Sequence, residues 1–435
     1  MAPGQMAARL TDGEVLPGLR LVTLPMGVQD VVTLTGSFYA GDTFSPTGQR
    51  ATAEVTAAML DKGSERRDKF EIGAALESVG ASISFSSDDY RINFNARCLK
   101  ADIPLVVELL AEQLRLPAFH AKDVASLQKR AEANLQRQGE STDEQARIAF
   151  SQHLYPDTHP NYVPSIEDQM ADIKAVTPNH LKAFHLAHYG LGNMQIAVTG
   201  DIDRAILEEQ FKAHFGDWPS VEVTPRPLDD MRASTNGSGG THFVTMAEKT
   251  SVDLILGMAV GIDREHVDYR PLMMASFILG GNFSARLMAT IRDEAGLTYG
   301  IGSSLGGASD GKDGYWTIYA TFAPDLLEQG RAATMEQFEK WLSSGATADE
   351  LAAKKTTITG SYQVGLASTK GVAGALLDIM ERGRPLSYLD DYPEEIRALT
   401  LEQVNSVIGR YISLDRLTIV AAGSIDADGR PLAGT

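Results

Sequence analysis

The sequence contains very little cysteine. Cys98 is its only cysteine among 435 residues, so an internal disulfide is excluded. The thiol lies in a segment that reads as a strand, where a lone cysteine usually serves as a small buried hydrophobic side chain. The fold must therefore hold together without disulfides.

Long apolar runs are also missing. No stretch of eighteen consecutive apolar residues occurs, so we expect no membrane span. Residues 1–6 have neither the charged start nor the apolar core of a signal peptide. We therefore expect either a cytoplasmic protein or one whose leader has been removed.

Basic residues are fewer than acidic ones. The chain has 39 Lys+Arg against 57 Asp+Glu, a net charge of -18. An acidic surface disfavours nucleic acid and anionic membranes, and it fits peptides or a less acidic partner better. With 43% hydrophobic and 22% charged residues, the composition is that of an ordinary globular protein, long enough for two or three domains.

Apolar periodicity predicts both strands and helices in the first half of the chain. The predicted strands are residues 16–26, 30–39, 81–86, 90–99 and 194–199, and the predicted helices are 50–60, 68–79, 102–116, 123–137 and 177–188. Strands and helices come in runs rather than in strict alternation. This order predicts an α+β fold in which a mostly antiparallel sheet carries helices on one face.

The second half of the chain repeats the plan of the first. Ile173-Lys-Ala-Val-Thr recurs as Ile396-Arg-Ala-Leu-Thr, and Gly200-Asp-Ile-Asp recurs as Gly423-Ser-Ile-Asp, both at an offset of 223. At this offset, residues 173–203 give eight identities in 31 positions without a gap. Self-similarity of this length indicates two homologous domains.

A linker is predicted between the repeats. Residues 218–240 are rich first in proline and then in glycine, a composition typical of linkers. The expected domains are therefore an N-terminal one, residues 1–217, and a C-terminal one, residues 241–435.

One stretch of the second half combines a helix pattern with two polar side chains. Ser284 is a predicted N-cap, and Gly296 lies where the helix should stop. Arg292 then falls in the last helical turn and Tyr299 at the start of the next strand. Taken locally, the pattern favours an exposed arginine and a half-buried tyrosine. A guanidinium and a phenol can also hold a peptide carbonyl.

A degenerate metal motif lies in the first half. Ala53-Glu-Val-Thr-Ala-Ala-Met-Leu-Asp-Lys-Gly-Ser-Glu resembles the zinc-binding helix of the pitrilysin family (insulinases, or inverzincins). Active members carry His-x-x-Glu-His directly before Met-Leu. The two histidines bind zinc, and the glutamate is the general base for the attacking water.

The metal positions of this motif are occupied by other residues. Alignment on Met-Leu and Lys-Gly places Glu54, Ala57 and Ala58 at the first histidine, the glutamate and the second histidine. The region of the family's third ligand, residues 133–137, contains no carboxylate. The resemblance therefore implies no zinc in this chain, which should be catalytically inactive alone.

The Arg292 stretch is the second place of resemblance. The non-zinc half of the family carries Ser-Arg-Leu, then Leu-Arg, then Gly-Leu-x-Tyr, and this chain has Ser284-Ala-Arg-Leu, Ile291-Arg292 and Gly296-Leu-Thr-Tyr299. In the family, this pair contacts the backbone carbonyls of the substrate. The resemblance covers nearly the whole chain and implies the two-domain pitrilysin/LuxS-like metallohydrolase fold. It also marks residues 81–86 as an edge strand to which a peptide could add, with an ordinary role in the sheet as the alternative.

An intact Arg/Tyr pair beside a lost zinc motif resembles the non-catalytic subunit of two-chain members, namely bacterial heterodimers and the mitochondrial processing peptidase. This implies that Arg292 and Tyr299 bind peptide for the active site of a homologous partner, and that the partner holds the zinc cofactor of a metalloendopeptidase heterodimer. The mitochondrial subunit has a long glycine-rich loop, whereas Leu279-Gly-Gly-Asn-Phe283 is short. A bacterial complex is therefore favoured, with the periplasm as the expected location and the cytoplasm as the alternative.

A purely structural subunit is the alternative function. Such a chain would hold a larger assembly together without any peptidase role. It would have no reason to keep both Arg292 and Tyr299 at this spacing, so the pair favours the substrate-binding subunit.

Overall fold

Two β-sheets with packed helices form the fold. The structure, a computed structural model, describes residues 6–223, 239–309 and 311–432. The strands are β1 (Thr11–Leu16), β2 (Leu19–Pro25), β3 (Val31–Tyr39), β4 (Ser82–Ser87), β5 (Arg91–Leu99), β6 (Met194–Gly200), β7 (Gly240–Thr245), β8 (Val252–Ala259), β9 (Ile301–Gly306), β10 (Tyr315–Phe322) and β11 (Thr418–Gly423). The predicted α+β class is confirmed.

Fourteen α-helices are found in the described ranges, together with one π-helix, Met288–Glu294. The α-helices are α1 (Thr52–Met59), α2 (Lys69–Ser78), α3 (Ile103–Arg115), α4 (Ala121–Gly139), α5 (Thr142–Leu154), α6 (Ile166–Ala175), α7 (Pro178–His188), α8 (Arg204–Phe215), α9 (Tyr269–Gly280), α10 (Leu327–Ser344), α11 (Ala348–Gly365), α12 (Thr369–Glu381), α13 (Tyr388–Ala398) and α14 (Leu401–Tyr411). None of the helices in these ranges has the length and hydropathy needed to span a bilayer.

The two sheets share one strand order. The first sheet runs β1-β2-β6-β3-β5-β4 and the second β7-β11-β8-β10-β9. Apart from the additional edge strand β1, each strand of one sheet has a counterpart in the other. One pair in each sheet is parallel, β2 with β6 and β7 with β11, and the others are antiparallel. The common topology confirms the predicted repeat and the mostly antiparallel sheets, and β4 is an edge strand as expected.

The repeated sequence motif caps a helix in each half. Helices α7 and α14 begin 223 residues apart, and a threonine precedes each. The Thr177 hydroxyl accepts a hydrogen bond from the His180 N–H, and the Thr400 hydroxyl accepts one from the Gln403 N–H. Each threonine satisfies an N–H group that the helix itself leaves unpaired, which typically contributes about 1 kcal/mol. Capping of the following helix therefore explains why both copies of the motif end in threonine.

Each compact unit contains one sheet and a segment from the other half of the chain. The first unit consists of the described parts of 1–133, 169–226 and 360–394, and the second of the described parts of 134–168, 227–359 and 395–435. Helix α12 therefore belongs to the first unit and α5 to the second. The expected boundaries at 217 and 241 stay a prediction, because most of the linker, 224–238, lies outside the described residues.

Helices cover both faces of the first sheet. Leu19 and Leu21 of β2 belong to a core that includes side chains of α3 and α8. Val22 and Leu24 pack instead with Leu376 and other residues of α12. Because successive strand residues point to opposite faces, α12 lies on the face opposite to α3. The expectation of helices on one face holds only for helices of the same half, since the other half supplies α12.

The second sheet is covered in the same way. Trp316 of β10 stacks on Trp341 of α10 with ring centroids 5.7 Å apart. Ile255 of β8 packs in a separate cluster with Phe150 of α5. Trp316 pairs across the strands with Met258, and Met258 lies three residues from Ile255, so Trp316 and Ile255 point to opposite faces. Helix α5 thus covers the second face of this sheet.

Candidate functional site

Helix α1 carries the three positions of the degenerate zinc motif. Ala57 is buried in the core, and Ala58 is half-buried. Neither methyl group can donate an electron pair to a metal. Glu54 is exposed on the same helix and supplies the only carboxylate of the three positions. A protein zinc site uses three or four nitrogen, sulfur or oxygen ligands, so this helix does not fit zinc.

The segment expected to carry a third ligand has no free carboxylate beside it. Residues 133–137 lie within α4. Before them, Glu132 Oε2 lies 3.3 Å from Lys174 Nζ, and after them Glu140 Oε2 lies 2.6 Å from Lys249 Nζ. In the described part of the chain, no group of three or more His, Cys, Asp or Glu side chains could hold a metal ion. The donor set of these helices therefore does not fit the family's zinc.

Acidic side chains gather near Glu54. The Asp42 N–H donates to the Asp88 carbonyl at 2.9 Å, and the Thr43 N–H donates to the Asp89 carbonyl at 2.8 Å, so the turn before α1 is fixed to the β4–β5 hairpin. Desolvation is the largest cause that raises the pKa of Asp42, and the carboxylates of Glu54, Asp89 and Asp88 raise it further, to about 7. The side chain nevertheless keeps some contact with water. Desolvation also raises the pKa of Glu54. Negative charge at this position is therefore unfavourable near neutral pH.

Asp42→Asn is expected to raise the thermal stability at pH 8 and to change it little at pH 4. The carboxyl has a pKa of about 7 in the fold against the usual 3.8. Between these values the folded protein holds a proton that the unfolded chain has lost, so the free energy of unfolding falls as the pH rises through this window. Because Asp42 is exposed and screened by solvent, we expect a gain of about 1 kcal/mol.

Thermal unfolding of both proteins at the two pH values measures this effect. Glu77→Gln, which removes an equal charge from an exposed position on α2, is the matched control and should give no pH-dependent gain. Equal stability of Asp42→Asn and the unsubstituted protein at pH 8 would contradict the prediction.

Arg292 and Tyr299 come together on the surface of the second unit. The guanidinium carbon of Arg292 lies over the Tyr299 ring, 5.2 Å from its centroid, and over the Phe283 ring, 5.6 Å from its centroid. Tyr299 is 88% exposed and Phe283 is 77% exposed. Among the described residues, the Arg292 side chain forms no ion pair and no hydrogen bond. Its N–H groups are therefore available to a ligand.

The helix that carries Arg292 is irregular. It begins at Arg286, and Met288–Glu294 form a π-helical turn. Gly296, with φ +65°, ends it by donating its N–H to the Arg292 carbonyl at 3.0 Å. π-helical turns are frequent at functional sites. The predicted N-cap role of Ser284 is wrong, because its hydroxyl donates to Asn282 Oδ1 at 3.2 Å rather than capping the helix.

Arg286, the other arginine of the motif, is fully engaged. Its Nη2 donates to Glu350 Oε2 at 2.6 Å and to the Gly345 carbonyl at 2.7 Å, and its Nε donates to Glu350 Oε1. Such a two-pronged pair fixes the geometry of both side chains. Arg286 therefore stabilises the helix, and only Arg292 of the two is free to act.

Tyr299 lies on a fixed turn before β9. The Thr298 hydroxyl donates to the Thr321 carbonyl at 2.5 Å and accepts from the Gly300 N–H at 3.1 Å. Leu297 beside it is buried. The strand begins at Ile301, two residues later than predicted. The phenol is thus held on an anchored backbone while its ring stays in solvent.

Comparisons with known proteins identify the family. Residues 175–358 match the model described as "Peptidase M16 inactive domain", and residues 29–159 match the model described as "Insulinase (Peptidase family M16)". Together the two matches span well over half of the chain. The chain belongs to peptidase family M16, the pitrilysin family, as the motifs predict.

Individual relatives extend over most of the chain. An uncharacterised zinc protease of Mycobacterium tuberculosis is 24% identical over 357 residues, 82% of this chain and 80% of its own length. A second one, from Streptomyces coelicolor, is 23% identical over 420 residues, 91% of this chain and 88% of its own. The crystal structure of a peptidase M16 inactive domain from Pseudomonas fluorescens is similar with a TM-score of 0.85 and 25% identity, covering 97% of this chain and 99% of that one. A Helicobacter pylori protease shares the fold with a TM-score of 0.84, 19% identity and coverage of 97% and 100%.

Proposed function

We propose that this chain is the non-catalytic, substrate-binding subunit of a two-chain zinc metallopeptidase. The half-buried Arg292 supports the proposal most directly, because its guanidinium forms no ion pair or hydrogen bond among the described residues and contacts Tyr299. An arginine kept for stability would be paired, as Arg286 is. A guanidinium and a phenol offer oriented donors for the carbonyl oxygen of a peptide, and such donors stabilise the negative charge that develops on it.

The metal belongs to the partner in this proposal. Helix α1 offers Glu54 but no imidazole, so a homologous subunit with an intact His-x-x-Glu-His supplies the zinc and its activated water. The residues of this chain bind and orient the substrate. Arg292 donates through its guanidinium N–H groups, and Tyr299 donates through its hydroxyl. The substrates are peptides, and residence in the bacterial periplasm remains part of the proposal.

The test compares this chain, its zinc-bearing homologue from the same organism, and the two together. Zinc content is measured by elemental analysis, and cleavage is measured with a fluorogenic peptide library. We expect substoichiometric zinc and no cleavage for this chain alone, and cleavage by the mixture well above that of the homologue alone. Stoichiometric tight zinc in this chain, or a homologue that is fully active without it, would overturn the proposal. A stable complex that cleaves nothing would favour the structural role instead.

A further inference from the structure

We infer that Phe283 is a third residue of the peptide site, which orients Arg292 and makes the site prefer an apolar side chain next to the bound carbonyl. This inference rests on the proposed function. It concerns a residue outside the Arg/Tyr motif, in the loop between α9 and the irregular helix.

The high exposure of the Phe283 ring is unusual for an aromatic side chain, but exposure by itself does not indicate a binding site. A phenyl ring that is 77% exposed leaves most of its apolar surface in water, yet single exposed apolar residues are common on protein surfaces. The additional fact is its position. The Arg292 guanidinium carbon lies over this ring at 5.6 Å, so the ring contacts the one group in the site that can bind a carbonyl strongly.

The loop that carries Phe283 is anchored on both sides. Lys354 of α11 is only 4% exposed. Its ammonium group donates to Asn282 Oδ1 at 2.7 Å, to the Ser284 hydroxyl at 2.9 Å and to the Ser284 carbonyl at 3.1 Å. A buried ammonium is stable only when its donors are satisfied, so these bonds hold both neighbours of Phe283 in place. An exposed ring on a fixed loop loses little conformational entropy when it binds a ligand.

The backbone of the loop also leaves little freedom. Gly280 approaches the neighbouring strand so closely that an added Cβ would collide with the Ser303 backbone, and a Cβ at Gly281 would collide with Phe277. The two glycines thus allow the end of α9 to pack closely against Ser303 and Phe277. Phe283 therefore follows a closely packed segment.

The contact with the ring keeps the donors of Arg292 available. An aromatic ring attracts a guanidinium through its face, whereas a carboxylate consumes the N–H groups themselves, as Glu350 does for Arg286. Phe283 can therefore orient Arg292 without occupying it. The remaining apolar surface of the ring lies beside the carbonyl-binding donors, where a leucine-like or aromatic side chain of a peptide would be desolvated.

The orienting role can be tested on this chain alone. Phenylglyoxal modifies accessible arginine side chains, and mass spectrometry gives the rate at each site. Phe283→Ala is expected to increase the modification rate of Arg292 about two- to fivefold, which corresponds to the loss of one exposed cation–π contact. Phe283→Trp should restore the slow rate, and Arg286 serves as the internal control in each digest. An unchanged rate in Phe283→Ala would refute the orienting role.

The specificity role needs the reconstituted two-chain enzyme. Two peptides that differ by leucine or serine at one position are compared through the ratio of their kcat/KM values. Phe283→Ala should reduce the preference for leucine about tenfold, Phe283→Trp should retain it, and Val267→Ala, at another exposed apolar residue, should leave it unchanged.

The outcomes separate this inference from the proposed function. If Arg292→Ala strongly lowers the cleavage rate but Phe283→Ala leaves the preference intact, the inference fails and the proposed function stands. If Arg292→Ala has no effect on cleavage, the proposed function itself fails. If Phe283→Ala weakens association with the partner and not the preference, Phe283 is a subunit contact and the inference is wrong.

Discussion

Replacement of Arg292 by alanine is expected to lower kcat/KM of the reconstituted two-chain peptidase about a hundred- to thousandfold. Removal of one preorganised donor from a site that stabilises a developing oxyanion typically costs roughly 3 to 4 kcal/mol in the transition state. The Arg292 side chain forms no ion pair or hydrogen bond within the described residues, so its truncation should not disturb the fold. The unfolding temperature of the isolated chain should therefore stay unchanged while the rate falls.

Related variants separate charge from geometry at this position. Arg292→Lys keeps the positive charge but loses the planar fork, so we expect an intermediate loss of rate. Tyr299→Phe removes a single hydroxyl donor and should cost about tenfold or less. Arg147→Ala, on an exposed i,i+4 ion pair of α5, is the surface control and should leave the rate unchanged. A loss of less than about threefold in Arg292→Ala would be incompatible with a donor role of this size.

Trp316→Ala is expected to have the largest effect on stability, a loss of about 3 to 5 kcal/mol. The indole is fully buried and stacks on Phe338 at 5.2 Å and on Trp341 at 5.7 Å. Its removal leaves a large cavity between β10 and α10, and close-packed neighbours fill such a space only in part. Urea denaturation followed by circular dichroism measures the free energy of unfolding.

Two further variants make this measurement specific. Tyr319→Ala changes an aromatic residue of the same strand that is 53% exposed, and it should cost much less than Trp316→Ala. Trp316→Phe keeps a ring in the stack and removes an indole N–H that has no hydrogen-bond partner among the described residues. We expect it to cost less than half of the alanine effect. Equal losses in Tyr319→Ala and Trp316→Ala would show that the stack is not the source of the stability.

Local patterns predicted most strands and helices of the first half of the chain, and the errors have identifiable causes. The segment 16–26 was expected to form one strand, whereas β1 ends at Leu16 and β2 begins at Leu19. The signal for this hairpin is Pro17-Gly18, a typical turn dipeptide, and Gly18 indeed has φ +79°. The exchange of α5 and α12 could not be predicted, because the periodicity of a helix shows that one face is apolar but not which sheet it covers.

The residues of the candidate site also fall into those that the sequence predicted and those that it could not. The degenerate positions Glu54, Ala57 and Ala58 and the pair Arg292 and Tyr299 follow from motif spacing, and the structure places the latter two in contact. Their roles in substrate binding stay a prediction. Lys354 could not be recognised, because it lies 70 positions from Ser284 and no local pattern encodes such a hydrogen bond. Phe283 carried only a weak signal, an aromatic residue in a glycine-rich turn.

The exchange of helices between the halves also constrains how the protein is made. Until α12 has left the ribosome, Val22 and Leu24 lack the apolar side chains that α12 packs on their face of the first sheet. The N-terminal half therefore exposes an apolar surface to water while more than a hundred further residues are synthesised. Such a surface favours aggregation or chaperone binding during translation. The two halves consequently depend on each other for folding, and a gene split at the linker would yield two fragments that are each incomplete.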